Sequence, residues 1–248
     1  NQTCHFCSDF IRQTAVKNGI PTSPNSLVTH WGIDPALFPV PPRERWPVRR
    51  LLYAGQMIPQ KGVHTAIAAF AILAKESGFE DLTLTVAGGG MHPDYERQLQ
   101  VLPAQLGVAG RVQFPGKVPR ADLPAVYAQH DVLVFPSDWD EPFAITPLEA
   151  MASGLAVVGT TTGGSGELFH DRETALTFRA GDAVDCARAL RELGGNRELF
   201  QKITTTGQRE VRGKYKLDAM VDKIEQSLQK KLTSGNFKRR KQKGEIKT

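Results

Sequence analysis

Several features are missing from this 248-residue sequence, and each absence excludes a class of protein. No apolar run reaches the roughly 18 residues that a membrane-spanning helix needs. The N-terminus lacks the basic-then-apolar pattern of a secretory signal peptide. Three cysteines argue against a disulfide framework, and the 40% of residues that are hydrophobic suffice for one sizeable core. We therefore predict a globular protein that resides in the cytoplasm.

Short motifs for metals and nucleotides are also absent. The sequence has no H-E-x-x-H and no paired C-x-x-C pattern, so neither of these metal-binding motifs is present. Gly88–Gly90 does not continue into G-x-G-x-x-G, because Pro93 stands at the last position, and a tight turn is predicted there instead. The single C-x-x-C pair, Cys4 and Cys7, is predicted to be two buried thiols, with a redox or metal-binding pair as the alternative.

The segment from Val132 to Gly159 carries the strongest positive signal. It begins and ends with short continuous apolar runs, which are typical of parallel strands covered on both faces. Between them, Thr146-Pro-Leu-Glu149 matches the S/T-x-x-E capping box and predicts a helix that starts at Thr146 or very near it, where free N–H groups favour an anion such as phosphate. Glu149 either completes this cap or binds a ligand. Glu141 has no such structural role, and its loop is expected at the ligand end of the sheet.

At this point the residues resemble a known family. Glu141-Pro-Phe-Ala-x4-Glu149-Ala-Met-Ala-x-Gly is similar to the E-x7-E signature of the retaining glycosyltransferases of family 4, which have the two-domain GT-B fold. Five further segments follow in that family's order: Leu51–His64, Leu82–Gly90, Val112–Gly116, Leu123–Tyr127 and Asp131–Ser137. The resemblance implies an α/β fold class, with a Rossmann-like parallel sheet, helices on both faces and a helical C-terminus.

The same resemblance implies site residues, with no cofactor and no bound metal expected for the fold. Glu149 would bind the nucleotide ribose, and Glu141 would be the catalytic-site acid that contacts hydroxyls of the transferred sugar. The other implied donor-binding positions are Gly55, Gln56, Lys61, Gly116, Lys117, Val118, Phe143, Ala144, Ile145 and Thr146. Two positions depart from the family pattern: Gln56 stands where an arginine is common, and Ala144 stands where glycine is usual. A glutamine offers phosphate only a neutral donor, which is weaker than a charged one.

The resemblance also divides the chain into three parts. Residues 1–30 are similar to the end of the family's N-terminal acceptor domain and the segment between the domains, and the rest of that domain is expected to be missing. Residues 31–232 are predicted to form the donor-binding Rossmann-like domain. Its pattern becomes all-helical from Asp182, and its last helix covers about Leu217 to Leu232. Residues 233–248 form a basic tail.

That tail carries the whole net charge of +5, because the remainder of the chain is neutral. A solvated, disordered tail is the simpler interpretation. The alternative is weak attraction to a membrane surface, with the cations of residues 238–247 bound near anionic lipid. No aromatic or groove-reading motif accompanies these cations, so a nucleic-acid partner is not predicted.

The implied function is retaining transfer of a hexose from a nucleoside-diphosphate sugar to a saccharide or lipid-linked acceptor. We expect this chain to supply mainly the donor site and to be inactive alone, because the reaction takes place between two domains. Two alternatives remain open: a GT-B epimerase or hydrolase of a sugar nucleotide, and a non-catalytic nucleotide-binding module, which Gln56 and Ala144 favour. The sequence leaves the base, the sugar, the acceptor and the linkage open.

Overall fold

The computed structural model describes residues 3–40, 44–90 and 92–233. Its N-terminal segment forms a small parallel pair of strands, β1 (His5–Phe6) and β2 (Leu27–Val28), joined through helix α1 (Asp9–Lys17). Ser8 begins this helix, because its side chain accepts a hydrogen bond from the N–H of Ile11 at 3.1 Å.

A six-stranded sheet follows. Its strands are β3 (Arg50–Gln56), β4 (Thr83–Gly89), β5 (Val112–Gly116), β6 (Val132–Phe135), β7 (Ala156–Gly159) and β8 (Leu176–Thr177). The spatial order is β5-β4-β3-β6-β7-β8, and every neighbouring pair is parallel. From β3 the chain therefore moves outward to β5 and then crosses back to β6 on the other side of β3. Open α/β sheets bind ligands at such a reversal, outside the carboxyl ends of the strands.

Helices cover both faces of this sheet. They are α2 (Val63–Leu73), α3 (Pro93–Gln105), α4 (Leu123–Gln129), α5 (Ile145–Ala152), α6 (Ala183–Gly195), α7 (Arg197–Lys214) and α8 (Leu217–Thr233). Short 3₁₀ turns lie at Pro35–Leu37, Pro59–Lys61, Ala109–Arg111, Arg120–Asp122 and Gly163–Glu167. The last three helices confirm the all-helical pattern and the terminal helix that the sequence predicts.

The core has two halves because successive residues of a strand point to opposite faces. In β3, Leu51 and Tyr53 pack with α2 and α6 on one face. Leu52 and Ala54 pack with α4 and α5 on the other face. Strands β6 and β7 are buried along their whole length, as their continuous apolar runs predict. The predicted fold class, a Rossmann-like parallel sheet with helices on both faces, is confirmed.

Two smaller predictions were wrong. Gly88 and Gly89 do not form a turn, because both belong to β4 and pair with Gly55 and Gln56 of β3. A Cβ atom on Gly88 would lie 1.8 Å from the carbonyl oxygen of Gly55, so the glycine permits close contact between the two strands. The thiols of Cys4 and Cys7 are only half-buried, since the small β1–β2 pair is too short to cover them.

Other predictions are not decided by the fold. None of the helices in the described part of the chain is long and apolar enough to cross a membrane. Within the same residues, no group of three or more His, Cys, Asp or Glu side chains is placed to hold a metal ion. The basic tail lies outside the described residues, apart from Thr233 at the end of α8. The cytoplasmic location, the domain boundaries and both interpretations of the tail stay predictions.

Candidate functional site

The loop after β3 crosses the reversal point of the sheet. Its conformation depends on Gly62, whose φ of +63° is in the left-handed region that favours glycine. A Cβ atom there would lie 2.0 Å from the carbonyl oxygen of Pro136, which follows β6. The side chain of Tyr53 holds the beginning of the loop by donating a hydrogen bond to the carbonyl oxygen of Gln56 at 2.6 Å. As a result, Lys61 lies next to the loop that follows β6.

An ion pair joins these two loops. The Nζ atom of Lys61 lies 2.5 Å from Oε1 of Glu141, and the hydroxyl of Ser137 donates to the same oxygen at 2.7 Å. The Glu141 side chain is only 7% exposed, against 24% for Lys61, so the carboxylate is the better shielded partner. The hydroxyls of Thr160 and Thr162, which follow β7, donate to the carbonyl oxygen of Ser137. Residues that follow β3, β6 and β7 are therefore linked around Glu141 and Ser137.

Gly163 and Gly164 pack against the loop that follows β6 and contains Glu141, called the Glu141 loop below. The N–H of Gly164 donates to the carbonyl oxygen of Glu141 at 2.6 Å. A Cβ atom on Gly163 would lie 2.5 Å from the Glu141 nitrogen, and one on Gly164 would lie 2.2 Å from the Pro142 carbonyl oxygen. No larger residue fits at either position without moving the loop. The 3₁₀ turn Gly163–Glu167 thus determines where the Glu141 backbone lies.

The predicted start of α5, at Thr146 or very near it, agrees with the structure, but the predicted capping box does not form. The helix begins at Ile145, with Ala144 as its N-cap, and no side chain caps it. Thr146 is therefore already inside the first turn, and Glu149 is too far along the helix to complete a capping box. The first N–H groups of a helix have no partner within it, so this uncapped end favours an anion. Ala144 fits without strain, because its φ of −84° and ψ of 127° are allowed to any residue.

Glu149 is 3% exposed and does not cap the helix. The hydroxyl of Tyr127 donates to Oε2 at 2.9 Å. Among the described residues Oε1 accepts no hydrogen bond, although Nη2 of Arg120 lies 3.3 Å away, within ion-pair distance. Burial raises the pKa of Glu149, while the Tyr127 hydrogen bond and the Arg120 charge lower it. A buried carboxylate oxygen without a donor is an acceptor for a ligand hydroxyl.

The remaining predicted site residues have different surroundings. The ring of Phe143 is buried between His30 and Tyr215, at centroid distances of 4.9 and 5.7 Å, so its side chain serves packing. Val118 packs partly against the core. The other predicted positions lie at strand ends or at the start of α5: Gly55, Gln56 and Lys117 are exposed, Gly116 is half-buried with φ of +78°, Ile145 is exposed and Thr146 is half-buried.

Sequence reasoning missed several residues that shape the site. Ser137 lies two residues after the apolar run of β6 and could have been found as a polar residue near a strand end. The hydroxyl of Tyr127 and the guanidinium of Arg120 gave no local signal, because both reach Glu149 from sequence positions more than 20 residues away. Gly163 and Gly164 could have been recognised only as turn residues.

The chain is similar to known proteins. The family model described as glycosyl transferases group 1 matches residues 44–210. The chain is 34% identical to the glycogen synthase of Mycobacterium tuberculosis (strain ATCC 25618 / H37Rv), over 65% of this chain and 38% of that protein. It is 32% identical to the lipopolysaccharide core biosynthesis glycosyltransferase LpsE of Rhizobium meliloti (strain 1021), over 71% of this chain and 48% of that protein.

A solved structure shows the same fold. Anabaena Alr3699/HepE in complex with UDP superposes with a TM-score of 0.82, at 22% identity, over 92% of this chain and 64% of that chain. The chain spans less than two thirds of the length of each of these three proteins.

Proposed function

The chain belongs to the group 1 glycosyl transferases, and from this premise we propose that it binds the nucleoside-diphosphate sugar of a retaining glycosyltransferase. One observation supports this most strongly. Glu149 holds a buried carboxylate oxygen that accepts no hydrogen bond among the described residues, and it lies on the helix that starts at the ligand end of the sheet. A ribose offers two adjacent hydroxyls as donors, which would satisfy that oxygen.

The diphosphate would lie at the uncapped start of α5. The N–H groups of the first turn would donate to its oxygens, and the helix dipole would favour its charge. Lys61 would add a positive charge from the opposite loop. Charge builds up on the diphosphate as the bond to the sugar breaks, so these groups would stabilise the transition state more than the bound donor. We propose that no metal is needed for this role.

The sugar would lie against Glu141. Its carboxylate would accept hydrogen bonds from sugar hydroxyls and would fix the sugar relative to the diphosphate. Lys61 and Glu141 bind each other directly, so a donor would have to compete with this ion pair. The diphosphate would then replace Glu141 as the partner of Lys61. Ser137 would keep its hydrogen bond to the carboxylate and hold it in place.

The acceptor is proposed to be a saccharide or a lipid-linked saccharide bound mainly by an N-terminal domain. The reaction would take place between that domain and the edge of the sheet that carries Lys61 and Glu141. Transfer requires two reactants held in register and protected from water. We therefore expect this chain alone to bind the donor and to transfer sugar very slowly.

Calorimetric titration with UDP, GDP and ADP tests the proposal. Structural relatives that were solved with UDP and UDP-glucose make UDP the first choice. We expect one nucleotide to bind, and Glu149→Gln to weaken it about tenfold or more through loss of hydrogen bonds to a charged group. Glu173→Gln, at an exposed position, is the matched control and should leave the affinity unchanged. Equal affinity of both variants for the nucleotide would refute the assignment of Glu149.

A further inference from the structure

Glu167, the last residue of the Gly163–Glu167 turn, forms an unusual set of hydrogen bonds. Its carboxylate accepts from the N–H of Asp9 at 3.1 Å and from the N–H of Phe10 at 2.8 Å, which are the first two residues of α1. The same carboxylate accepts from Nε2 of His30 at 2.7 Å. A carboxylate at a helix start is favoured by the free N–H groups and by the dipole. Glu167 thus binds the N-terminal segment, residues 3–30, at two places: the start of α1 and His30.

The turn that carries Glu167 also supports the Glu141 loop. Gly164 donates its N–H to the Glu141 carbonyl, and Gly163 touches the Glu141 backbone. A second contact runs in parallel, because the ring of His30 packs at 4.9 Å from the ring of Phe143, two residues after Glu141. The N-terminal segment is therefore linked to the Glu141 loop in two ways. One link runs from α1 through Glu167 and its turn, and the other runs through His30, which also binds Glu167.

We propose that Glu167 is a positioning residue that couples the placement of Glu141 to the docking of the N-terminal segment. The turn contains three glycines, Gly163, Gly164 and Gly166, so its backbone has little conformational preference of its own. The charge-assisted hydrogen bonds of Glu167 supply the missing restraint. This inference rests on the proposed function, because it takes Glu141 as the residue that contacts the sugar.

The fold itself does not depend on Glu167. The next two residues, Leu168 and Phe169, are buried in the core and donate their N–H groups to the carbonyl oxygen of Ser165. They anchor the turn at its C-terminal end. Loss of the Glu167 carboxylate would therefore release α1 and the glycines while the sheet stays intact. Such a variant should lose the order of the Glu141 loop before it loses stability.

The test compares UDP with UDP-glucose, since only the sugar is assigned to Glu141. In Glu167→Ala we expect the affinity for UDP-glucose to fall about fivefold or more relative to the affinity for UDP, the usual size of coupling between two sites. Glu167→Gln keeps one oxygen acceptor for the N–H groups of α1 but loses the charge and the second acceptor, so it should recover only part of the loss. Glu173→Ala is the exposed control. Equal losses for both ligands, or no loss, would overturn the proposal.

A second measurement needs no nucleotide. Trp139 lies two residues before Glu141 and is 52% exposed, so its fluorescence reports the loop. In a chain in which Trp31 and Trp46 are replaced by phenylalanine, Glu167→Ala should lower the fluorescence anisotropy of Trp139, and Glu173→Ala should not. Unchanged anisotropy would overturn the coupling. If the anisotropy falls but the wild-type chain binds no nucleotide, the coupling stands as a structural link and only the proposed function fails.

Discussion

The ion pair between Lys61 and Glu141 allows a prediction about both stability and binding. Lys61→Met removes the charge beside a carboxylate that is 7% exposed and leaves Ser137 as its hydrogen-bond donor. Breaking a fully buried pair costs about 3–5 kcal/mol, and because Lys61 is 24% exposed we expect a smaller loss, about 2 kcal/mol. Glu141→Gln keeps the shape of the side chain and the contact with Ser137, so its cost should be about 1 kcal/mol.

Urea unfolding of the two variants and of the double variant measures the coupling. The losses of unfolding free energy in the two single variants should not add. The double variant should lose about 1–2 kcal/mol less than the sum of the two single losses. The denaturant slope should stay constant, so that the shift in midpoint reports stability alone. Additive effects within about 0.5 kcal/mol would refute the reasoning, because they would mean that the two side chains do not interact.

The same variants separate the two proposed ligand contacts. In Glu141→Gln the ammonium of Lys61 loses its negative partner and becomes available to the diphosphate. UDP should therefore bind this variant at least as tightly as it binds the wild-type chain. UDP-glucose should gain less or lose affinity, because a neutral amide is a weaker acceptor for sugar hydroxyls. Weaker binding of UDP itself to Glu141→Gln would contradict the exchange of partners at Lys61.

Three further predictions concern single positions. Gly62→Ala should destabilise the chain by more than about 2 kcal/mol in urea unfolding, because its φ is positive and its Cβ atom would clash with the Pro136 carbonyl oxygen. Gly19→Ala, with φ of +71° and nothing within 4 Å, should cost only about 1 kcal/mol. Burial raises the pKa of Glu149 above 4.5, so wild-type stability falls relative to Glu149→Gln as pH rises through that raised value. Thermal unfolding should therefore show the variant gaining stability relative to the wild-type chain between acid and neutral pH. Gln56→Arg should strengthen binding of a nucleoside diphosphate about tenfold in calorimetry, and Gln60→Arg should not.

The sheet was predictable because its signal is local. Val132–Phe135 and Ala156–Gly159 are continuous apolar runs, and a strand buried on both faces needs that composition whatever surrounds it. The two glutamates were also found from a local signal, since they form the E-x7-E pattern between these two strands. Their location at the carboxyl edge follows from the parallel arrangement alone.

The remaining features depend on contacts between distant residues. The capping box predicted between Thr146 and Glu149 does not form, and the Glu149 carboxylate instead accepts a hydrogen bond from the hydroxyl of Tyr127 on α4. The carboxylate of Glu167 meets Asp9 across 158 positions of sequence. No local pattern in a single sequence carries such a pairing. Arg120 is likewise recognisable only in the folded chain, where its guanidinium lies within ion-pair distance of Glu149.

A crystal structure of the chain with UDP-glucose would test the central claim most directly. We predict that a ribose hydroxyl lies at hydrogen-bond distance, about 2.6–3.2 Å, from Oε1 of Glu149. The diphosphate should lie at the first turn of α5 beside Lys61, and the sugar should contact Glu141. A nucleotide bound elsewhere, with Glu149 still paired only with Tyr127 and Arg120, would contradict the proposed donor site.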